Sequence, residues 1–228
     1  ALADHLHPAV VGTAVVGGGW VVLLEVACRG ALAVGFATIL LSVGAAAQAL
    51  EGGRIAAARA VLGPTARLRL DANRAWDHAT ALDVLTVAAD HDIEWCEEPV
   101  VDDLAGFVPS SPVPVGLDES ASTVDDVERL LDAARFAAVV VKPQAIGGPD
   151  LAVRALERAA DRGATGVVTT MIDGAVGVAH AVHVAAAAGA DTAHGLATSA
   201  LLADDVAAPL AVVHGSIAAT GPGIGIDP

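Results

Sequence analysis

The chain has 228 residues, enough for one large α/β domain or two small ones, and 54% of them are hydrophobic while only 3% are aromatic. A core of Ala, Val, Leu and Ile follows, which excludes a disordered chain and suits helices packed closely on a parallel sheet. The formal charge of −15, from 27 acidic and 12 basic residues, repels nucleic acid and anionic membranes, so neither is expected as a partner.

In chain order, the start ALADHLHP lacks a basic stretch followed by an apolar run, so it does not read as a secretion signal. The missing initiator Met points to a fragment or a processed start. Val10–Val16 reads as a first strand. Gly30–Leu50 carries no charge and is long enough to span a bilayer. Three glycines (Gly30, Gly35, Gly44) interrupt it, however, and strand Ala37–Val43 followed by the Ala-rich helix Ala45–Val61 fits better. Strand Arg67–Leu70, helix His78–Asp90 and strands Ile93–Cys96 and Val113–Leu117 come next. Helix Val124–Ala134 sets Asp125 and Glu128 on a wet face against Leu130 and Leu131. Strand Ala137–Val141, helix Asp150–Arg162, strand Gly166–Thr169, helix Ala175–Ala188 and strand Thr192–His194 complete the series.

This alternation implies parallel strands joined by crossovers. Eight strands in 228 residues is about 28 per unit, as in a (β/α)8 TIM barrel, although alternation alone also allows a doubly wound open sheet. No linker divides the chain, so residues 1–228 are read as one barrel domain. Cys28 and Cys96 are too few for a disulfide framework and are expected to stay reduced in a cytoplasm. The acidic, Lys-poor composition fits a protein kept soluble in high salt and equally a GC-rich genome.

Function in such folds collects at the carboxyl ends of strands. Those ends carry Asp71 in LRLDANRAW, Glu97 in IEWCEEP, Asp118 in VGLDES and Lys142 in VVVKP, at separations of 26, 21 and 24 residues. Three converging carboxylates repel one another unless a cation lies between them, and hard oxygen ligands point to Mg2+, with Mn2+ as a substitute. Each acid has a plainer reading. Asp71 could cap the next helix, Glu97–Pro99 could be an acidic turn, and Asp118 with Glu119 could cap the helix near Val124. The matched spacing favours the metal. Lys142 is the only Lys among twelve basic residues, and a compact ammonium can approach a developing anion. Asn73 and Glu119 follow two of the acids closely enough to touch the ligand carboxylates. No tight metal spacing involves the His residues.

The motifs DANRAW, IEWCEEP, LDES and VVKPQAIGG resemble the successive barrel motifs of the enolase superfamily, in its muconate-lactonizing branch. TTMIDGAVGVAHAVHVAAA and AHGLATSALLADDV are similar to o-succinylbenzoate synthases. The resemblance runs from about Gly35 to the C-terminus. It implies a Mg2+ held by Asp71, Glu97 and Asp118 that binds a small-molecule carboxylate substrate. Lys142 would lie opposite the base, and Thr170, Met171, Ile172, Asp173 and Gly174 would form the turn that meets the distal carboxylate. The implied reaction is loss of water through an enediolate, by a carbon–oxygen lyase of menaquinone biosynthesis. Racemisation of N-acylamino acids, epimerisation of dipeptides, and a non-catalytic barrel keeping the metal site are the alternatives. A homo-oligomer is compatible with all of them.

Two departures bear on activity. The family carries Lys-x-Lys at the end of its second barrel strand, in a GFxxxKxKVG context, with the second lysine the usual base. Here Gly35–Gly44 aligns without a gap and holds Leu40 and Ser42 at those positions. Serine without an activating partner cannot take a weakly acidic carbon proton near neutral pH. The family's α+β capping domain precedes the barrel, and most or all of it is expected to be missing, because fewer than ten residues come before the first strand. Activity of this chain alone is therefore expected to be impaired.

Overall fold

In a computed structural model, residues 9–16, 21–189, 192–198, 202–219 and 224–225 are described. Seven strands lie parallel in chain order, some apolar throughout and β4 and β5 interrupted by charged residues: β2 (Ala14–Val16), β3 (Thr38–Ser42), β4 (Arg67–Asp71), β5 (Ile93–Glu97), β6 (Val115–Leu117), β7 (Ala138–Val141) and β8 (Thr165–Val168). The sheet curls, and the segment around His194 links its two edges. Gly195 N donates to Val168 O at 2.9 Å, and Thr13 N donates to His194 O at 2.7 Å. The parallel bridges Thr169–Gly195 and Gly12–His194 mark this eighth position. The expected strand Thr192–His194 is thus present as single bridges and not as a ladder.

The expected first strand, Val10–Val16, is divided. Ala14–Val16 joins the parallel sheet, whereas β1 (Ala9–Val11) pairs antiparallel with β10 (Ser216–Ala218), which also pairs with β9 (Val212–Val213). Gly12 makes the transition, its N–H donating to Gly215 O at 2.6 Å.

The longer helices are α1 (Val21–Ala33), α2 (Gln48–Leu62), α3 (His78–Ala88), α5 (Val124–Ala133), α7 (Pro149–Asp161) and α8 (Ala175–Ala187). The short turns α4 (Leu104–Phe107) and α6 (Pro143–Ile146) and the helix α1 were not expected. Periodicity fixes α5 and α7: Val127, Leu130, Ala155 and Leu156 are buried while their acidic neighbours face water. α8 is buried nearly all round, which its Ala and Val side chains permit at close approach. The uncharged stretch 30–50 is divided among the end of α1, β3 and the start of α2, and no described helix is long and apolar enough to cross a membrane.

Inside the sheet, His194 is 1% exposed and its Nδ1 accepts from Val168 N at 3.0 Å. The proton therefore sits on Nε2, which has no hydrogen-bond partner among the described residues. Burial, helped by the Arg69 cation, pushes this histidine down to about 4 from 6.5. An unfolded chain takes up the proton below pH 6.5 and the folded chain does not, so stability is lost as pH falls from 6.5 towards 4. Wild type minus His194→Asn should show a pH-dependent difference approaching about 3 kcal/mol over that window in denaturant titrations. Parallel curves for the two proteins would place the acid sensitivity elsewhere.

Candidate active site

Each charged residue of interest ends a strand or follows it directly. Asp71 is the last residue of β4, Glu97 is the last of β5, Asp118 follows β6, and Lys142 follows β7. Neighbouring parallel strands open on the same side, and Asp71 is in register with Glu97, as Glu97 is with Gly116. All four side chains line one cavity of ≈ 210 Å³, together with Asn73, Glu119 and Thr170.

None of these acids caps a helix. Asp77 caps α3, accepting from Thr80 N at 2.8 Å, and Thr123 caps α5, accepting from Asp126 N at 3.1 Å. Glu97 is 3% exposed within β5 and is not a solvated turn residue. The plainer readings of the three acids therefore have no support in the structure.

A left-handed backbone at Glu98, just past the end of β5, separates the adjacent pair Glu97 and Glu98. Glu97 enters the cavity, whereas Glu98, fully buried with φ of +40°, braces the loop after β6. Its Oε1 accepts from Asp118 N at 2.9 Å and Ser120 N at 2.8 Å. Its Oε2 accepts from Ser120 Oγ at 2.9 Å and Arg74 Nε at 3.1 Å. Asp118 is thereby fixed through its own backbone.

The electrostatics are those of carboxylates held away from water. Burial raises Asp71, partly offset by the hydrogen bond from Asn73 N at 3.0 Å. Burial pushes Glu97 up to about 8, with Asp118 and Asp71 adding to the rise and the hydrogen bond from Trp95 opposing it. Asp118 is raised by burial although it is paired with Lys142, and burial raises Glu119 as well. In kind, this donor set fits a hard divalent cation, which would relieve three desolvated acids at once. In placement, Asp118 is paired with Lys142, and Glu97 accepts from Trp95 Nε1 through Oε1 alone. No group of three or more His, Cys, Asp or Glu side chains among the described residues is close enough to hold a metal.

The expected turn after β8 is brought only partly to the cavity. Thr170 lines it, its hydroxyl 2.6 Å from that of Thr198, and Met171 borders an adjoining cavity that also touches Lys142. Ile172 is exposed, Asp173 is buried, and Gly174 precedes α8 as its N-cap, where Asp205 accepts from Ala175 N at 2.6 Å. Leu40 lines the cavity; Ser42 is half-buried beside Asp71 in the β3–β4 register. Arg69, Thr13 and Thr198 also line it and were missed by sequence reasoning. For Arg69 a signal existed: in RLRLD it stands two residues before Asp71, on the same strand face.

A family model described as "Enolase C-terminal domain-like" matches residues 23–228. An o-succinylbenzoate synthase of Thermobifida fusca is 38% identical over 172 residues, 74% of this chain and 53% of that protein. A D-Ala-D/L-Ala epimerase of Cytophaga hutchinsonii is 36% identical over 101 residues, 42% of this chain and 27% of that protein. The muconate lactonizing enzyme of Klebsiella pneumoniae superposes with a TM-score of 0.91 at 24% identity, covering 99% of this chain and 65% of that one, a likeness of fold. The chain spans about half the length of the o-succinylbenzoate synthase it matches. Curled parallel sheet, strand-end acids and family match agree, and the chain belongs to the enolase superfamily, as a member of its C-terminal barrel-domain family.

Proposed function

We propose that this chain is the barrel portion of an o-succinylbenzoate synthase-like lyase, a Mg2+-dependent dehydratase impaired at its proton-abstracting position. The observation that carries the reading is the meeting of Asp71, Glu97, Asp118 and Lys142 in one cavity at the carboxyl ends of consecutive strands. Asp71, Glu97 and Asp118 would hold the ion, with Asp118 giving up Lys142 to do so. When bound, the ion would supply positive charge for a substrate carboxylate and for the charge that builds as its α-proton leaves. Lys142, released, would add a second cation in a site partly screened from water.

The substrate suggested by the resemblance is 2-succinyl-6-hydroxy-2,4-cyclohexadiene-1-carboxylate, which would lose its α-proton and its hydroxyl together as water. The base is the weak link. β3 lies four places from β7 in the strand order, across the curl, and offers Leu40 and Ser42 where a base is needed. Epimerisation, suggested by the Cytophaga relative, normally uses a base on each face and is hurt more by this loss. A non-catalytic barrel that keeps the ion is the second reading, and Leu40 in the cavity favours it.

The ion site is checked by thermal unfolding. Mg2+ at about tenfold its Kd should raise the midpoint by roughly 3–6 °C, and Glu97→Gln should remove that rise. An equal rise in the variant would move the ion elsewhere.

Catalysis is checked by dehydration assays of the chain and of the double variant Leu40→Lys, Ser42→Lys. The chain should turn over poorly. Because Ser42 is in register with Asp71, a lysine there would join the mouth, and the double variant should gain about 10²-fold or more. Mg2+ binding without any gain would support the non-catalytic reading. Wild-type turnover at the level of complete relatives would refute the claim of impairment.

A further inference from the structure

Beneath the acids lies a second layer. Arg69 and Asp71 are two residues apart on β4, as Trp95 and Glu97 are on β5, so each pair shares a strand face. Arg69 is 1% exposed and Trp95 is 3% exposed. The Arg69 guanidinium lies over the Trp95 ring, 3.9 Å from its centroid. The indole Nε1 donates to Glu97 Oε1 at 3.0 Å, the only hydrogen bond made by the Glu97 side chain among the described residues.

Arg69 is itself held from three other parts of the chain, one of them Thr13, whose Oγ1 lies 3.5 Å from Nη1. Its Nε donates to Glu94 Oε2 at 2.6 Å, Nη1 to Ala193 O at 2.8 Å, and Nη2 to Thr192 Oγ1 at 2.9 Å. On the far side of the indole, a Cβ added at Gly116 would come within 3.1 Å of Trp95 Cδ1 and 3.5 Å of Glu97 Cγ. The neighbouring strand therefore has no side chain just where the indole and this carboxylate pack. A ring with a cation on its face and glycine at its edge has one orientation, and its N–H then has one direction.

We propose that Trp95, locked by Arg69, is a positioning residue that aims Glu97 for the divalent ion; the inference rests on the metal reading above. Indole N–H is a donor only, so it fixes Oε1 and leaves Oε2 for a cation. Ligating carboxylates need such partners, because a side chain free to rotate loses affinity each time it must be ordered on the ion. The arrangement also ties the ion site to the segment that links the sheet edges, through Thr192 and Ala193.

The test uses the whole chain and Mn2+, with binding followed by electron paramagnetic resonance or calorimetry. Trp95→Phe keeps an aromatic ring beneath Arg69 and removes the N–H donor together with part of the ring volume. It should weaken Mn2+ by about 10–100-fold, while the unfolding midpoint of the metal-free protein stays within about 4 °C of wild type. Equal Mn2+ affinity in wild type and variant would overturn the positioning role and leave the ion site standing. Should wild type itself bind no Mn2+, the metal reading fails and this inference goes with it. If Trp95→Phe does not fold, Gly116→Ala, which presses on the indole edge, is read in the same way: weakened Mn2+ supports the role and unchanged affinity overturns it.

Discussion

Carboxylates removed from water repel one another, and the mouth of this sheet holds four of them, three at strand ends and Glu119 beside them, with a single ammonium. Burial raises the pKa of Asp71, Glu97 and Asp118 alike, and Lys142 pairs only with Asp118. Topology imposes the arrangement, because β4, β5 and β6 are adjacent and parallel and each is completed by an acid. Much of the nearby polar structure is bracing. Glu98 gathers four hydrogen bonds to hold the loop that carries Asp118, and the Glu51–Arg54 pair fixes the turn after β3, where Glu51 accepts from Gly44 N and Arg54 donates to Ser42 O. Such a mouth is costly to the metal-free fold, and on the proposed reading a divalent cation would offset that cost.

The site is lopsided. Acids and Lys142 come from β4 to β7, whereas β2, β3 and β8 contribute Val15, Leu40 and Val167 to the same cavity. An apolar wall suits the body of an organic carboxylate and cannot move a proton. On the proposed reading the base would have to come from β3, while the charge that holds a substrate anion would come from the opposite arc.

Much of this was legible from residues alone, and the parts that were not share a cause. β6 and β7 are apolar runs that stop at a charged residue, and β4 and β5 alternate in polarity before ending on an acid, so both strand and strand end could be read. Helices α5 and α7 have the 3.6-residue pattern. By contrast, α1 is apolar on exposed and buried faces alike, with Val22, Leu23 and Val26 open to solvent, and it has no period to read. The division at Gly12 depends on pairing with residues about two hundred positions away. Cavity placement of Asp71, Glu97, Asp118 and Lys142 followed from spacing. The turn 170–174 was expected at the site as a unit, yet only Thr170 reaches this cavity, and Gly174 is already the N-cap of α8. Arg69 escaped notice because a charged residue inside a strand suggests a solvent face; the interior of a curled sheet is the other place it can go.

The account stands or falls on whether three strand-end carboxylates share one ion. A crystal structure of the chain grown with Mn2+, with the metal located by anomalous scattering, asks this directly. The expected result is one ion bonded to Asp71, Glu97 and Asp118, with Lys142 detached from Asp118. Asp118 still paired with Lys142, and no ion at the mouth under saturating Mn2+, would contradict it.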